Sequence, residues 1–162
     1  MHAYGRVHIG NDHGGLGLRQ PIVEILARAL RWEVASLAGP ASLDLTVDYP
    51  DIAAKVCDAV ARDPGSLGIL LCGTGQGMAM SANRREDIRA GVVSDVFSAR
   101  MLREHNNANV LCLGARVLGS GVVEEVVRTF LSVEFCGDTR HRRRIDKLSS
   151  RAPDTQTKLG GK

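Results

Sequence analysis

The chain has 162 residues, 44% of them hydrophobic and 24% charged, which supplies enough apolar side chains for one self-sufficient core. No apolar run reaches the length of a membrane span and no basic-then-apolar leader opens the sequence, so neither a membrane segment nor a secretory signal is expected, and a cytoplasmic location is. Lys and Arg number 21 against 18 Asp and Glu, a net +3 too small to argue for nucleic acid, and 4% aromatic residues leave little for bases to stack on.

Short apolar runs alternate with helical periodicities, the rhythm of βαβ units around a parallel sheet. Strands are predicted at residues 6–10, 33–37, 68–71, 89–93 and 109–113. Leu18, Ile22, Ile25, Leu26 and Leu30 share one face of a first helix, which Pro21 forces either to start near Gln20 or to kink. Ile52, Val56, Ala59 and Val60 share one face of a second, and residues 96–104 form another helix. After Gly119 and Gly121, Val122, Val123, Val126, Val127, Phe130 and Leu131 mark a helix that covers the sheet. Residues 138–151 are strongly basic, and Arg140, Arg144, Lys147 and Arg151 recur at helical spacing, so two arginines one turn apart can fork onto one phosphate. The expectation is a single domain over 1–150 and a disordered tail over 151–162, which has almost nothing to bury.

In an open α/β sheet, ligands bind beyond the carboxyl ends of the strands. Three loops there stand out: Gly10-Asn11-Asp12-His13-Gly14-Gly15, Cys72-Gly73-Thr74-Gly75-Gln76-Gly77 and Ser94-Asp95. Glycines at 73, 75 and 77 let successive N–H groups converge on a small anion, although the same glycines also serve an ordinary tight turn. Their spacing is not that of a dinucleotide fingerprint and no acidic residue ends the following strand, so no nicotinamide cofactor is expected. Cys57, Cys72, Cys112 and Cys136 contain no paired zinc spacing, so no structural metal is expected and all four are read as reduced thiols. Cys72 stands out because N–H dipoles favour its thiolate; the other three are read as small buried hydrophobes. His13 and His105 are read as lying beside the binding edge, where imidazole exchanges protons near neutral pH, while a helix cap explains each alone.

The residues Gly10-Asn11-Asp12-His13-Gly14-Gly15, Asp48-Tyr49-Pro50, Cys72-Gly73-Thr74-Gly75-Gln76-Gly77-Met78, Ala82-Asn83, Ile88-Arg89-Ala90, His105-Asn106-Asn107-Ala108-Asn109, Gly114-Ala115-Arg116 and Arg140-His141-Arg142-Arg143-Arg144-Ile145 follow one order. That order resembles the type B ribose-5-phosphate isomerases, a family that includes the galactose-6-phosphate isomerase subunits, over about residues 6–150. The resemblance implies a Rossmann-like three-layer αβα sandwich on a five-stranded parallel sheet. It further implies a homodimer or dimer of dimers with active sites at the subunit interface. The implied reaction interconverts ribose 5-phosphate and ribulose 5-phosphate without metal or cofactor.

The resemblance also assigns roles. Cys72 matches the proton-abstracting base, with Thr74 beside it, and Gly73, Gly75, Gln76 and Gly77 belong to the loop that stabilises the enediolate. His105 matches the proton donor or ring opener with Asn106 as its neighbour; Asp12 and His13 match substrate contacts, and Arg116, Arg140 and Arg144 the phosphate clamp. Asn107, Arg84 and Asp87 depart from the family pattern and bear on turns and packing more than on chemistry. Alternatives are a galactose 6-phosphate or allose 6-phosphate isomerase, a non-catalytic sugar-phosphate binder, and a nucleic-acid-binding role for the basic segment.

Overall fold

A computed structural model describes residues 5–30 and 32–149. The tail expected beyond 151, Arg151 with it, and the side chain of Leu30 lie outside the described residues. Strands β1 (Arg6–Asn11), β2 (Glu33–Ala38), β3 (Leu67–Cys72), β4 (Ala90–Val92) and β5 (Val110–Gly114) form one parallel sheet in the order β2-β1-β3-β5-β4. Every predicted strand is present, and β4 is the one that shrinks. It lies at the sheet edge, where the Asn83 side-chain amide both accepts from the Ala90 N–H and donates to the Ala90 carbonyl, each at 2.8 Å. That amide occupies the free backbone groups that would otherwise template another strand.

Helices α1 (Leu16–Ile25), α2 (Tyr49–Arg62), α3 (Gln76–Ala82), α4 (Val96–Glu104), α5 (Ser120–Ser132) and α6 (Thr139–Ser149) complete the chain. Strand periodicity sorts them into layers. Ile69, Leu71, Leu111 and Leu113 point to one face, where Leu18, Ile22 and Leu26 of the α1 segment and Val123, Val126, Val127 and Phe130 of α5 pack. Leu70, Cys72, Val110 and Cys112 point to the other, under Ile52, Val56 and Val60 of α2 and Met78 and Ala82 of α3. The result is the expected αβα sandwich, with β3 and β5 buried on both faces as inner parallel strands must be.

Of the two alternatives at Pro21, the start near Gln20 is not taken: helix α1 begins at Leu16 and carries the proline inside it. Asp12 caps the short turn His13–Gly15 by accepting from the Gly15 N–H at 2.9 Å, so the helix is nucleated before the proline is reached. Pro21 is exposed, as is Gly17 one turn before it, so the proline ring lies on the solvent side of the helix. A π-type turn at Leu26–Leu30 follows. Cys136 corrects an expectation: Cys57, Cys72 and Cys112 are buried free thiols, but Cys136 is exposed, because it lies in the loop after α5 and closes no strand. Among the described residues no helix is long and apolar enough to cross a membrane.

Candidate active site

From β1 the chain winds outward to β2 on one side and to β3 on the other, so the carboxyl ends of β1 and β3 flank a topological switch point. Asp12 and Cys72 stand there. The Asp12 N–H donates to the Leu71 carbonyl at 3.1 Å, which fixes the first loop against the third. A Cβ on Gly14 would lie 3.0 Å from the Gly73 nitrogen, so the two loops touch through bare backbone. The loop after β5 joins them: Ala115 N–H donates to the Cys72 carbonyl at 2.9 Å and Arg116 N–H to the Gly73 carbonyl at 3.1 Å. The exposed Arg116 side chain passes over Gly73, with Cδ and Nη1 each 3.5 Å from where a Cβ would stand.

Within the third loop, Gly75 adopts φ +82°, a left-handed conformation that other residues enter only with strain. That turn aims the Gly75 N–H at Cys72 Sγ, 3.0 Å away. A thiol sulfur is a weak acceptor and a thiolate a strong one, so this donor suits the charged form. Burial pushes the thiol of Cys57 up to about 11, and that of Cys112 higher still. Thr74 is exposed at the loop tip, its Oγ1 3.4 Å from the Gln76 nitrogen, and Gln76 begins α3. His13 is exposed beside Asp12. Asp12, His13, Arg116 and the residues of the Cys72 loop thus form one cluster at the carboxyl edge.

His105 is not part of it, which corrects the expectation that both histidines flank the same edge. Helix α4 leaves the carboxyl end of β4 and runs back to the start of β5, so its last turn lies at the amino edge. Strands of this length span roughly 15–20 Å, and that length of sheet separates His105 and Asn106 from Cys72. Asn107 closes α4 in a left-handed conformation, φ 45°, and the Arg89 guanidinium donates to the Asn106 and Asn107 carbonyls at 2.8–3.1 Å. The family departures Arg84, Asp87 and Asn107 all fall in turns at this edge.

Helix α6 starts here as well. Its His141 is buried and stacks on His105, ring centroids 4.2 Å apart and planes 12° from parallel. Arg140 Nε donates to His141 Nε2 at 3.2 Å, which leaves the imidazole proton on Nδ1. Desolvation, then the neighbouring His105 and Arg140, lowers the His141 pKa below its usual value and keeps the ring neutral. Arg140 and Arg144 are exposed on the same helix, so the structure separates them from Arg116 within one chain.

Two site residues carry no role in the sequence reading. His141 sits inside a basic run; the signal for it is that His141, Ile145 and Leu148 form the only uncharged stripe at helical spacing in that run. Tyr49 packs its half-exposed ring over the first turn of α3, where a Cβ on Gly77 would come within 2.8 Å of it, at the mouth of the Cys72 loop. A recess of about 590 Å³ lies elsewhere, at the amino edge between Arg85, Arg89, Leu102, Asn106 and Leu148.

Comparison with known proteins agrees with this architecture. Residues 7–148 match the family model for Ribose/Galactose Isomerase. The ribose-5-phosphate isomerase B of Escherichia coli is 37% identical over 145 residues, covering 90% of this chain and 95% of its own. The structure of Trypanosoma brucei type B ribose 5-phosphate isomerase superposes with a TM-score of 0.84 at 40% identity, covering 91% of this chain and 98% of that one. The Thermotoga maritima ribose 5-phosphate isomerase structure gives 0.84 at 38% identity, covering 92% and 100%.

Proposed function

The chain belongs to the ribose/galactose isomerase family, and from that premise we propose that it interconverts ribose 5-phosphate and ribulose 5-phosphate through an enediolate, with Cys72 as the base. The observation that carries this reading is the Cys72 sulfur, 3.0 Å from the Gly75 N–H, at the switch point of the sheet. In this mechanism the Cys72 thiolate takes the proton from C2 and returns it to C1, while the hydroxyl proton of O2 passes to O1. With the Gly75 N–H on the sulfur, the N–H groups of Gly73, Thr74, Gln76 and Gly77 are left to hold the oxygen on which negative charge grows, and one such donor is worth about 10²- to 10³-fold in turnover. Asp12 and His13 contact the sugar hydroxyls, and no metal or cofactor enters.

His105, with Asn106 beside it, opens the furanose ring, and Arg140 and Arg144 share the phosphate with Arg116. Because these groups lie a sheet length from the base of the same chain, the complete site takes its two halves from two copies, as a homodimer or dimer of dimers. Exposed Met80 and Phe97, 68% and 70% accessible, are apolar side chains a second copy would cover.

The test is deuterium uptake at C1 or C2 of ribose 5-phosphate in heavy water, with a chelator present. Exchange with ketose formation is expected, and its absence overturns the reaction class. Mixing Cys72→Ala with His105→Ala chains, after joint unfolding and refolding, should restore about a quarter of native turnover through mixed dimers, each with one intact site. No restoration would overturn the shared site. Faster turnover of galactose 6-phosphate or allose 6-phosphate would move the substrate to a hexose.

A further inference from the structure

The loop that joins α5 to α6 brings together Cys136, Asp138 and His141, whose ligand atoms all lie within 4.8 Å of one another. Gly137 between the first two adopts φ +72°, and its carbonyl accepts from Arg142 Nε at 2.8 Å, so the turn is held from both sides. The Cys136 N–H donates to the Glu104 carbonyl at 3.0 Å, which anchors this loop next to His105. Cys136 and Asp138 are exposed, Asp138 with the Arg140 guanidinium 3.6 Å away, whereas His141 is fixed in its stack.

A thiolate, a carboxylate and an imidazole form a donor set that suits zinc, which takes sulfur at about 2.3 Å and nitrogen at about 2.0 Å with tetrahedral geometry. Closing the three atoms onto one ion needs about 1 Å of movement from the two exposed side chains. Three protein ligands leave a fourth position open to water. The surroundings are basic, with Arg140 and Arg142 adjacent, and the two anionic ligands offset that field.

We propose that Cys136, Asp138 and His141 bind a thiophilic divalent cation such as Zn²⁺, and that the bound ion releases Arg140 from His141. The second part follows from electron counting. A neutral imidazole has one in-plane lone pair, which Arg140 Nε now engages at Nε2. A metal on Nε2 takes that pair directly; a metal on Nδ1 moves the proton to Nε2, where it faces the arginine N–H. Either way the Arg140–His141 bond is lost, and Arg140 also loses Asp138, now 3.6 Å from its Nε, to the ion. The site stands on its own geometry; only its effect on phosphate affinity rests on the function proposed above.

Cobalt reports the site without turnover. One equivalent of Co²⁺ added to the full metal-free chain should give thiolate-to-cobalt charge-transfer absorption that is kept in Cys72→Ser and lost in Cys136→Ser. No absorption, or absorption that survives Cys136→Ser, overturns the site, whether or not the chain is an isomerase. Freed from the imidazole and the carboxylate that compete for it, Arg140 is more available to phosphate, so saturating Zn²⁺ should lower KM for ribose 5-phosphate about fivefold in the native chain and leave Cys136→Ser unchanged, a coupling of ordinary size between linked sites. Cobalt absorption with an unmoved or raised KM overturns the coupling to Arg140.

Discussion

At the carboxyl edge of the sheet the loop after β3 offers a ligand its main-chain N–H groups, whereas the turn after α4 and the start of α6 at the amino edge offer rings and guanidinium groups. The first set is fixed by the β3–β5 ladder and by the 2.9 and 3.1 Å bonds that pin the loop after β5 to Cys72 and Gly73. In the second, His141 is buried against His105 but the guanidinium groups of α6 stand in solvent, with the Arg140 side chain 62% exposed. The difference matches two chemical tasks. Rigid dipoles cost no reorganisation when charge grows on a reacting oxygen, and mobile cations suit a phosphate that is charged from the outset.

The contrast is easiest to break at the base. Cys72→Ala should lower turnover by at least about 10²- to 10⁴-fold, the range for loss of a positioned proton-transfer group, while moving unfolding free energy by about 1 kcal/mol or less. Steady-state kinetics beside a denaturant melt check this; near-native turnover would remove sulfur from the mechanism. Gly75→Ala comes next. It forces alanine to φ +82° and puts a methyl 3.1 Å from Val92 and 3.3 Å from the Cys112 backbone, so about 1–2 kcal/mol of stability should go. Turnover should fall about 10²-fold as the donor swings off the sulfur, and a fully active, fully stable variant would deny the loop its role.

The smallest effect belongs to the amino edge. The His141 pKa is lowered in the fold, so between that value and its ordinary 6.5 the unfolded chain binds the extra proton. Stability therefore rises with pH through this window, is complete above 6.5, and declines on acidification below it. Denaturant midpoints between pH 5 and 8 should show a shallower slope in His141→Gln than in the native chain. Equal slopes would place the proton elsewhere.

Sheet order aside, the βαβ framework was readable because parallel inner strands leave unbroken apolar runs, as in Leu67–Cys72 and Val110–Gly114. The Cys72 loop was readable because its glycines lie directly after such a run. His105 was misplaced for a directional reason: in parallel sheets a strand-to-helix loop and a helix-to-strand loop look alike in composition but open on opposite edges. His141 was hidden because charge around it masks a stripe only three residues long. Cys136 was misread because burial is the commoner fate of cysteine, and the turn signal of Gly137-Asp138 beside it was given no weight.

One consequence of the Gly75 turn concerns inheritance. A binding surface assembled from peptide amides presents few letters for mutation to strike: a substitution at Gln76 changes what decorates the loop but leaves its amides in place. Drift at that position is therefore expected to be generous, and intolerance to concentrate at the left-handed glycine and the sulfur it faces.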